Sequence, residues 1–299
     1  MNRQVEAMQD PEWNKAAEII SPNRASEPIL LVEGKLDRRV LMGKWQEIHR
    51  DVSRNIRIQR AGNKKEKGGK EFVLAEFKER RKKELIFALV DMDHDFEGEK
   101  IGFSSSVYDT RKFVTLATHY FPDDDAAKEI IRFVISELGG DYKDKLNDKI
   151  IESIIRISKV LTWIKLFKGK YPKYQGKFGN FTWEEVNHDE PHEVLFRDEV
   201  AREELMVDDK KKAFEDYFKR NFEKQKECGI NDHALSHAIM LLLRHWNWAP
   251  KQKMGSFKGK WEQAQEILEK KYFLEFIGNK SNVKYDKFIL ELRDNITQK

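Results

Sequence analysis

Along the first third of the chain, short apolar runs alternate with segments of helical period. Pro28-Ile29-Leu30-Leu31-Val32 is aliphatic and ends abruptly at Glu33-Gly34, which predicts a buried strand. From Asp37 to His49, Val40, Leu41, Trp45 and Ile48 recur at helical spacing with charge between them, so an amphipathic helix follows. A second strand is predicted at Asn55-Ile56-Arg57-Ile58-Gln59, then a polar loop from Ala61 to Lys70. A helix near Glu71 to Lys83 comes next, with Val73, Leu74 and Phe77 on one face. Leu85-Ile86-Phe87-Ala88-Leu89-Val90 is the most strand-like run and ends in Asp91-Met92-Asp93-His94-Asp95. A further strand is expected within Phe103 to Asp109.

This alternation predicts an α/β fold: a mainly parallel sheet flanked by helices, with right-handed crossovers and any ligand site outside the carboxyl ends of the strands. Both acidic clusters then lie on that edge. After Phe121-Pro122 the pattern turns to long helical stretches, at Ala126 to Leu138, Lys149 to Phe167, Asp208 to Lys226, His233 to Trp246 and Gly259 to Phe276. The expected organisation is a sheet domain over 1–121 and a mostly helical domain over 122–299. Lys168 to Asn180, rich in lysine, glycine and tyrosine, reads as a loop.

Composition narrows the class. With 299 residues, 39% hydrophobic, 36% charged and 11% aromatic, the chain can bury a sizeable core beneath a heavily charged surface. The single cysteine, Cys228, offers neither a disulfide partner nor zinc-cluster spacing, which suits a reducing cytoplasm. No apolar run reaches signal-peptide or membrane-helix form, so no membrane association is expected. The net charge of +4 is too small to identify a polyanion partner by itself.

Glu33 and Asp37 stand four residues apart across a strand-to-helix turn, and Asp91 and Asp93 project to one side of an extended segment. Either cluster alone is well explained as solvated loop acids. Together they make a four-carboxylate site, and crowded carboxylates stay ionised most readily around a hard divalent cation such as Mg²⁺.

Leu31-Val32-Glu33-Gly34-Lys35-Leu36-Asp37 and Leu89-Val90-Asp91-Met92-Asp93-His94-Asp95 resemble the two motifs of the toprim domain shared by topoisomerases, primases and overcoming-lysogenisation-defect-type nucleases. The resemblance covers roughly the first third of the chain. With its helical second half, the chain is similar to stand-alone toprim effectors of bacterial anti-phage systems of the PARIS type, which work beside an ABC-type ATPase. The resemblance implies a Mg²⁺-dependent nuclease, with Mn²⁺ able to substitute. It implies that Asp91 and Asp93 hold the metal directly or through water, that Glu33 holds metal or assists proton transfer, and that Asp37 completes the shell. Asp95 departs from the family pattern by extending the aspartate motif and joins the metal candidates. No further family acid follows Tyr108-Asp109-Thr110.

Lys35, in the first motif, and Lys64, Lys65, Lys67 and Lys70, in the loop after the second strand, are the nucleic-acid-binding candidates. A solvated charge run explains the loop as well. Lys168, Lys170, Tyr171, Lys173, Tyr174 and Lys177 mix charge with stacking surface, as single-stranded nucleic acid requires. Asn231 or Asp232 is expected to cap a helix, and His233 and His237 share a helical face without an evident third metal ligand.

The leading expectation is therefore a metal-dependent endonuclease acting on RNA or DNA, compatible with a homodimer and an ATPase partner. The alternative is a non-catalytic toprim-fold module that docks on a partner. A topoisomerase or primase is disfavoured, because neither a strand-passage tyrosine context nor zinc-binding cysteines are present.

Overall fold

A computed structural model describes residues 27–48, 56–62, 69–82, 84–91, 106–110, 115–139, 141–170, 182–186, 188–189, 191, 212, 216, 220, 229–248, 265, 267–279 and 283–297. Its centre is a four-stranded sheet in the order β2-β1-β3-β4, formed by Ile29–Val32 (β1), Arg57–Arg60 (β2), Ile86–Val90 (β3) and Val107–Asp109 (β4). Every pairing is parallel, with Ile29 facing Arg57 on one side of β1 and Ile86 on the other. β1 and β3 are buried along their whole length, so both faces of the sheet must be covered.

Alternate residues go to opposite covers. Ile29, Leu31, Ile86, Ala88, Val90 and Val107 pack with Val73 and Phe77 of the helix Lys70–Arg80 (α2). Leu30, Val32, Phe87 and Leu89 face the helix Lys35–Ile48 (α1), whose Leu36, Val40 and Leu41 are buried against them. Crossovers of one hand that set off in opposite directions from β1 and β2 put their helices on opposite faces, and α1 and α2 are so placed.

The cluster under α1 continues without a break into the helices that follow. Those are Asp124–Leu138 (α3), Tyr142–Lys145 (α4), Asp148–Lys170 (α5), Asp232–His245 (α6), a π-helical segment at Leu268–Phe273, Leu274–Asn279 (α7) and Val283–Thr297 (α8). This cluster includes residues on both sides of Phe121-Pro122, and Phe121 is itself fully buried. α7 and α8 pack directly on α1, and the 3₁₀ turn Ala117–Tyr120 packs on α1 and α8.

The elements differ from the sequence reading in three places. α5 runs on to Lys170 where a loop was expected from Lys168, because no glycine or proline interrupts the helix before Gly169. The region expected as one helix to Phe276 contains the π-helical segment, and Val283–Thr297 is a helix that the reading did not include. Of the expected strand from Phe103, the described part is Val107–Asp109, and most of the helix expected over 208–226 lies outside the described residues. No helix among the described residues is long and apolar enough to cross a membrane.

Candidate active site at the sheet edge

The direction of chain progression reverses between β1 and β3: from β1 the chain crosses to β2 on one side, and from β3 to β4 on the other. In open parallel sheets the crevice outside such a reversal is where ligands bind. Glu33 and Asp91 are the first residues beyond these two strands, so the fold brings them to that crevice although 58 positions separate them.

Asp91 is tied to three segments. Its backbone N–H donates to Glu33 Oε1 at 2.8 Å, its backbone carbonyl accepts from Lys70 Nζ at 3.2 Å, and its carboxylate Oδ1 accepts from the Leu116 N–H at 3.2 Å. Each partner fixes a different degree of freedom. Glu33 holds the end of β3 against the end of β1, Lys70 anchors the first turn of α2 to the same point, and Leu116 orients the Asp91 side chain. Glu33, Asp37 and Asp91 are all half-buried, placed between the core and solvent.

Asp37 has a local task. Its Oδ2 accepts from the Gly34 N–H at 2.8 Å, three residues back, while Arg38 N–H donates to the Gly34 carbonyl at 3.3 Å. This is the reciprocal half of a capping box, in which a third-turn-position acid closes on the residue that starts the helix. A Cβ at Gly34 would stand 2.8 Å from that same carboxylate oxygen. A side chain at Gly34 would thus displace the Asp37 carboxylate from its bond, and Gly34 is not among the described glycines with positive φ.

The acids are not held alone. Thr115 and Thr118 share a hydroxyl hydrogen bond of 2.9 Å, and Thr118 Oγ1 donates to the Ile230 carbonyl at 2.9 Å, just before the cap of α6. Leu116, which fixes Asp91, is therefore anchored into the helical half. His119 reinforces the turn: a ring nitrogen lies 3.1 Å from the Thr110 carbonyl and the ring stacks on Phe288 of α8 at 4.3 Å.

Of the residues proposed from sequence, Glu33, Asp37, Asp91, Lys35 and Lys70 fall at this edge, while Asp93, His94, Asp95, Lys64, Lys65 and Lys67 lie outside the described residues, as do Tyr171, Lys173, Tyr174 and Lys177. Among the described residues no group of three His, Cys, Asp or Glu side chains is arranged as a metal site. The described acids nevertheless suit a hard cation in their chemistry: their donors are all carboxylate oxygen, and backbone N–H groups already orient them.

Asn231 caps α6 as expected, accepting from the Ala234 N–H at 3.2 Å. His233 goes to a second polar group that the sequence reading missed. Its Nδ1 lies 2.8 Å from Glu269 Oε1, which also accepts from Ser236 Oγ at 2.6 Å and Gln265 Nε2 at 3.1 Å. The pairing spans 36 positions, so no local spacing signals it. The chain matches no known family model and no curated protein.

Proposed function

We propose that this protein is a Mg²⁺-dependent toprim-type nuclease that cleaves phosphodiester bonds of RNA or DNA at the edge formed by Glu33 and Asp91. The observation that carries this reading is the meeting of the two motif acids at the reversal point of a parallel sheet, through the 2.8 Å bond from the Asp91 N–H to Glu33. Asp37 and Asp91 would hold the metal, with Asp93 and Asp95 from the segment that follows. Bound Mg²⁺ supplies positive charge opposite the phosphodiester and lowers the pKa of coordinated water.

The chain's own residues do the rest. Glu33, kept in place by the backbone N–H it accepts, takes the proton from the attacking water. Asp91, oriented by Leu116, keeps its carboxylate aimed from the end of β3. Lys35, the first residue of α1, is exposed beside the turn and draws the phosphate backbone toward the acids. A role in anti-phage defence under an ABC-type ATPase partner belongs to the same reading.

The test is a cleavage time course on RNA and on DNA with Mg²⁺, Mn²⁺ or a chelator, using wild type and Asp91→Asn. Asparagine keeps an oxygen for the Leu116 N–H, so the fold should persist. Cleavage by wild type that disappears with chelator and in Asp91→Asn is expected. No cleavage of either polymer, or wild-type rates in Asp91→Asn, overturns the proposal.

A second reading, a non-catalytic module that docks on a partner, draws on one observation. Every described acid at the edge already accepts a backbone N–H, as acids with a purely structural task would. It predicts no cleavage of either polymer by wild type with Mg²⁺ or Mn²⁺.

A further inference from the structure

We infer that Lys35, Arg39 and Lys270 form a cationic seat on the helical side of the sheet edge, and that it takes the phosphodiester backbone of a nucleic acid. The inference rests on the nuclease reading for its substrate class, and it assigns part of that substrate's grip to the helical half of the chain.

Lys35 and Arg39 are one helical turn apart, so they share a face of α1 immediately after the Glu33-Gly34 turn. Both are exposed, and neither pairs with a carboxylate among the described residues. Lys270 comes from the π-helical segment that leads directly into α7, and α7 packs on α1. The packing of α7 on α1 thus brings the segment that carries Lys270 toward α1 from a distant part of the sequence. The mutual effect of the three cations is felt: the Lys270 amine is held below its ordinary value, by partial burial first and then by the nearby charges of Lys35 and Arg39.

Grouping like charges while removing them partly from water is unfavourable in the isolated chain. A polyanion relieves both costs, because each phosphate neutralises a cation and releases its own condensed counterions. On the opposite side of the sheet Lys70 reaches the Asp91 carbonyl. Cations thus flank the acids from both covers of the sheet, which suits a strand laid across the edge with a phosphate on either side of the reacting one. A short acidic peptide is the other polyanion such a seat could bind, but its charges lack the regular spacing that a site on either side of the acids requires.

Fluorescence anisotropy with labelled single-stranded RNA and labelled duplex DNA in the presence of a chelator tests the seat apart from catalysis. The variants are Arg39→Gln, Lys270→Gln and, as a control of equal charge change, Lys271→Gln. Lys271 is exposed on the neighbouring position of the π-helical segment. Arg39→Gln and Lys270→Gln are expected to bind roughly 3–10-fold more weakly, with a logarithmic salt dependence shallower by about one unit each. Lys271→Gln should stay near wild type. No binding by wild type, equal weakening by Lys271→Gln, or unchanged binding by Arg39→Gln overturns the seat. Arg39 is on the surface, so this holds even if Lys270→Gln fails to fold. Selective weakening without any cleavage in Mg²⁺ would sink the nuclease reading and leave the seat standing, whereas cleavage with unchanged binding in both variants would do the reverse.

Discussion

Glu33 sits half-buried at the end of β1 and gives one carboxylate oxygen to the Asp91 N–H, whereas Glu269, 8% exposed in the π-helical segment, gathers His233, Ser236 and Gln265 around one oxygen. Both glutamates join parts of the chain that are far apart in sequence. The difference lies in what surrounds them. At Glu269 side-chain donors and a histidine converge on the acid, so its charge is used up in holding α6 to the π-helical segment. At Glu33 the Asp91 N–H comes from a strand end, beside a second acid, and the side chain remains half-buried. π-helical turns often occur at functional sites, yet here the acid within one does the work of a cross-link.

The same isosteric change should therefore have opposite consequences at the two positions. Glu33→Gln retains an oxygen for the Asp91 N–H, so its melting temperature should stay at the wild-type value. Cleavage should fall by ~10²–10⁴-fold, the usual contribution of a general base. Glu269→Gln should leave cleavage by the folded protein intact and cost about 1–3 kcal/mol, since the amide keeps an acceptor oxygen but loses the charge that faces His233 and sets an NH₂ group among three donors. Parallel cleavage and melting measurements on the two variants check both halves. Cleavage lost equally in both, with equal melting shifts, would erase the distinction.

pH should sharpen the contrast within α6. The His233 ring is raised from 6.5 to about 9, by Asp232 first and then by the Glu269 hydrogen bond and charge, against burial and Lys165. A raised histidine stabilises fully below its unfolded value, so this contribution is lost as pH climbs from 6.5 toward 9. The ring is 53% exposed, and solvent screening limits the effect to ~1 kcal/mol or less. His237, one turn on, is lowered by burial from 6.5 to about 4, so its contribution is lost in the opposite direction, as pH falls from 6.5 toward 4. Chemical denaturation across this range should show a maximum near the middle, and Asp232→Asn should flatten the alkaline limb. A smaller effect is expected at the turn itself. Gly34→Ala would press a methyl group on the Asp37 carboxylate and cost about 1 kcal/mol through the lost cap, read by denaturant titration.

The same comparison explains what the sequence discloses. The aliphatic runs Ile29–Val32 and Ile86–Val90 can only be strands buried on both faces, so the parallel sheet and the acids that follow each run are legible without any partner information. The helix Val283–Thr297 is absent from the sequence reading, although Phe288, Ile289, Leu292 and Ile296 recur at helical spacing and all are buried. The nearness of Lys270 to the charges of Lys35 and Arg39, and the hydrogen bond of Glu269 with His233, are of another kind. They depend on how α7 and α6 pack, which no local period encodes. The π-helical turn is hidden for a related reason, because Leu268–Phe273 contains neither glycine nor proline to mark the slip in hydrogen bonding. Asp37 was read as a metal candidate from its spacing to Glu33, and only the Gly34 N–H bond reveals its second task at the helix start.

Edge acids that hold a divalent cation should bind it without any substrate present. Mn²⁺ titration followed by electron paramagnetic resonance, on wild type, Asp91→Asn and Glu269→Gln at matched folded fraction, tests this directly. The account predicts saturable Mn²⁺ binding by wild type and Glu269→Gln, displaced by Mg²⁺ and weakened at least ~10-fold in Asp91→Asn. Absence of bound Mn²⁺ in wild type, or the same affinity in Asp91→Asn, would contradict it.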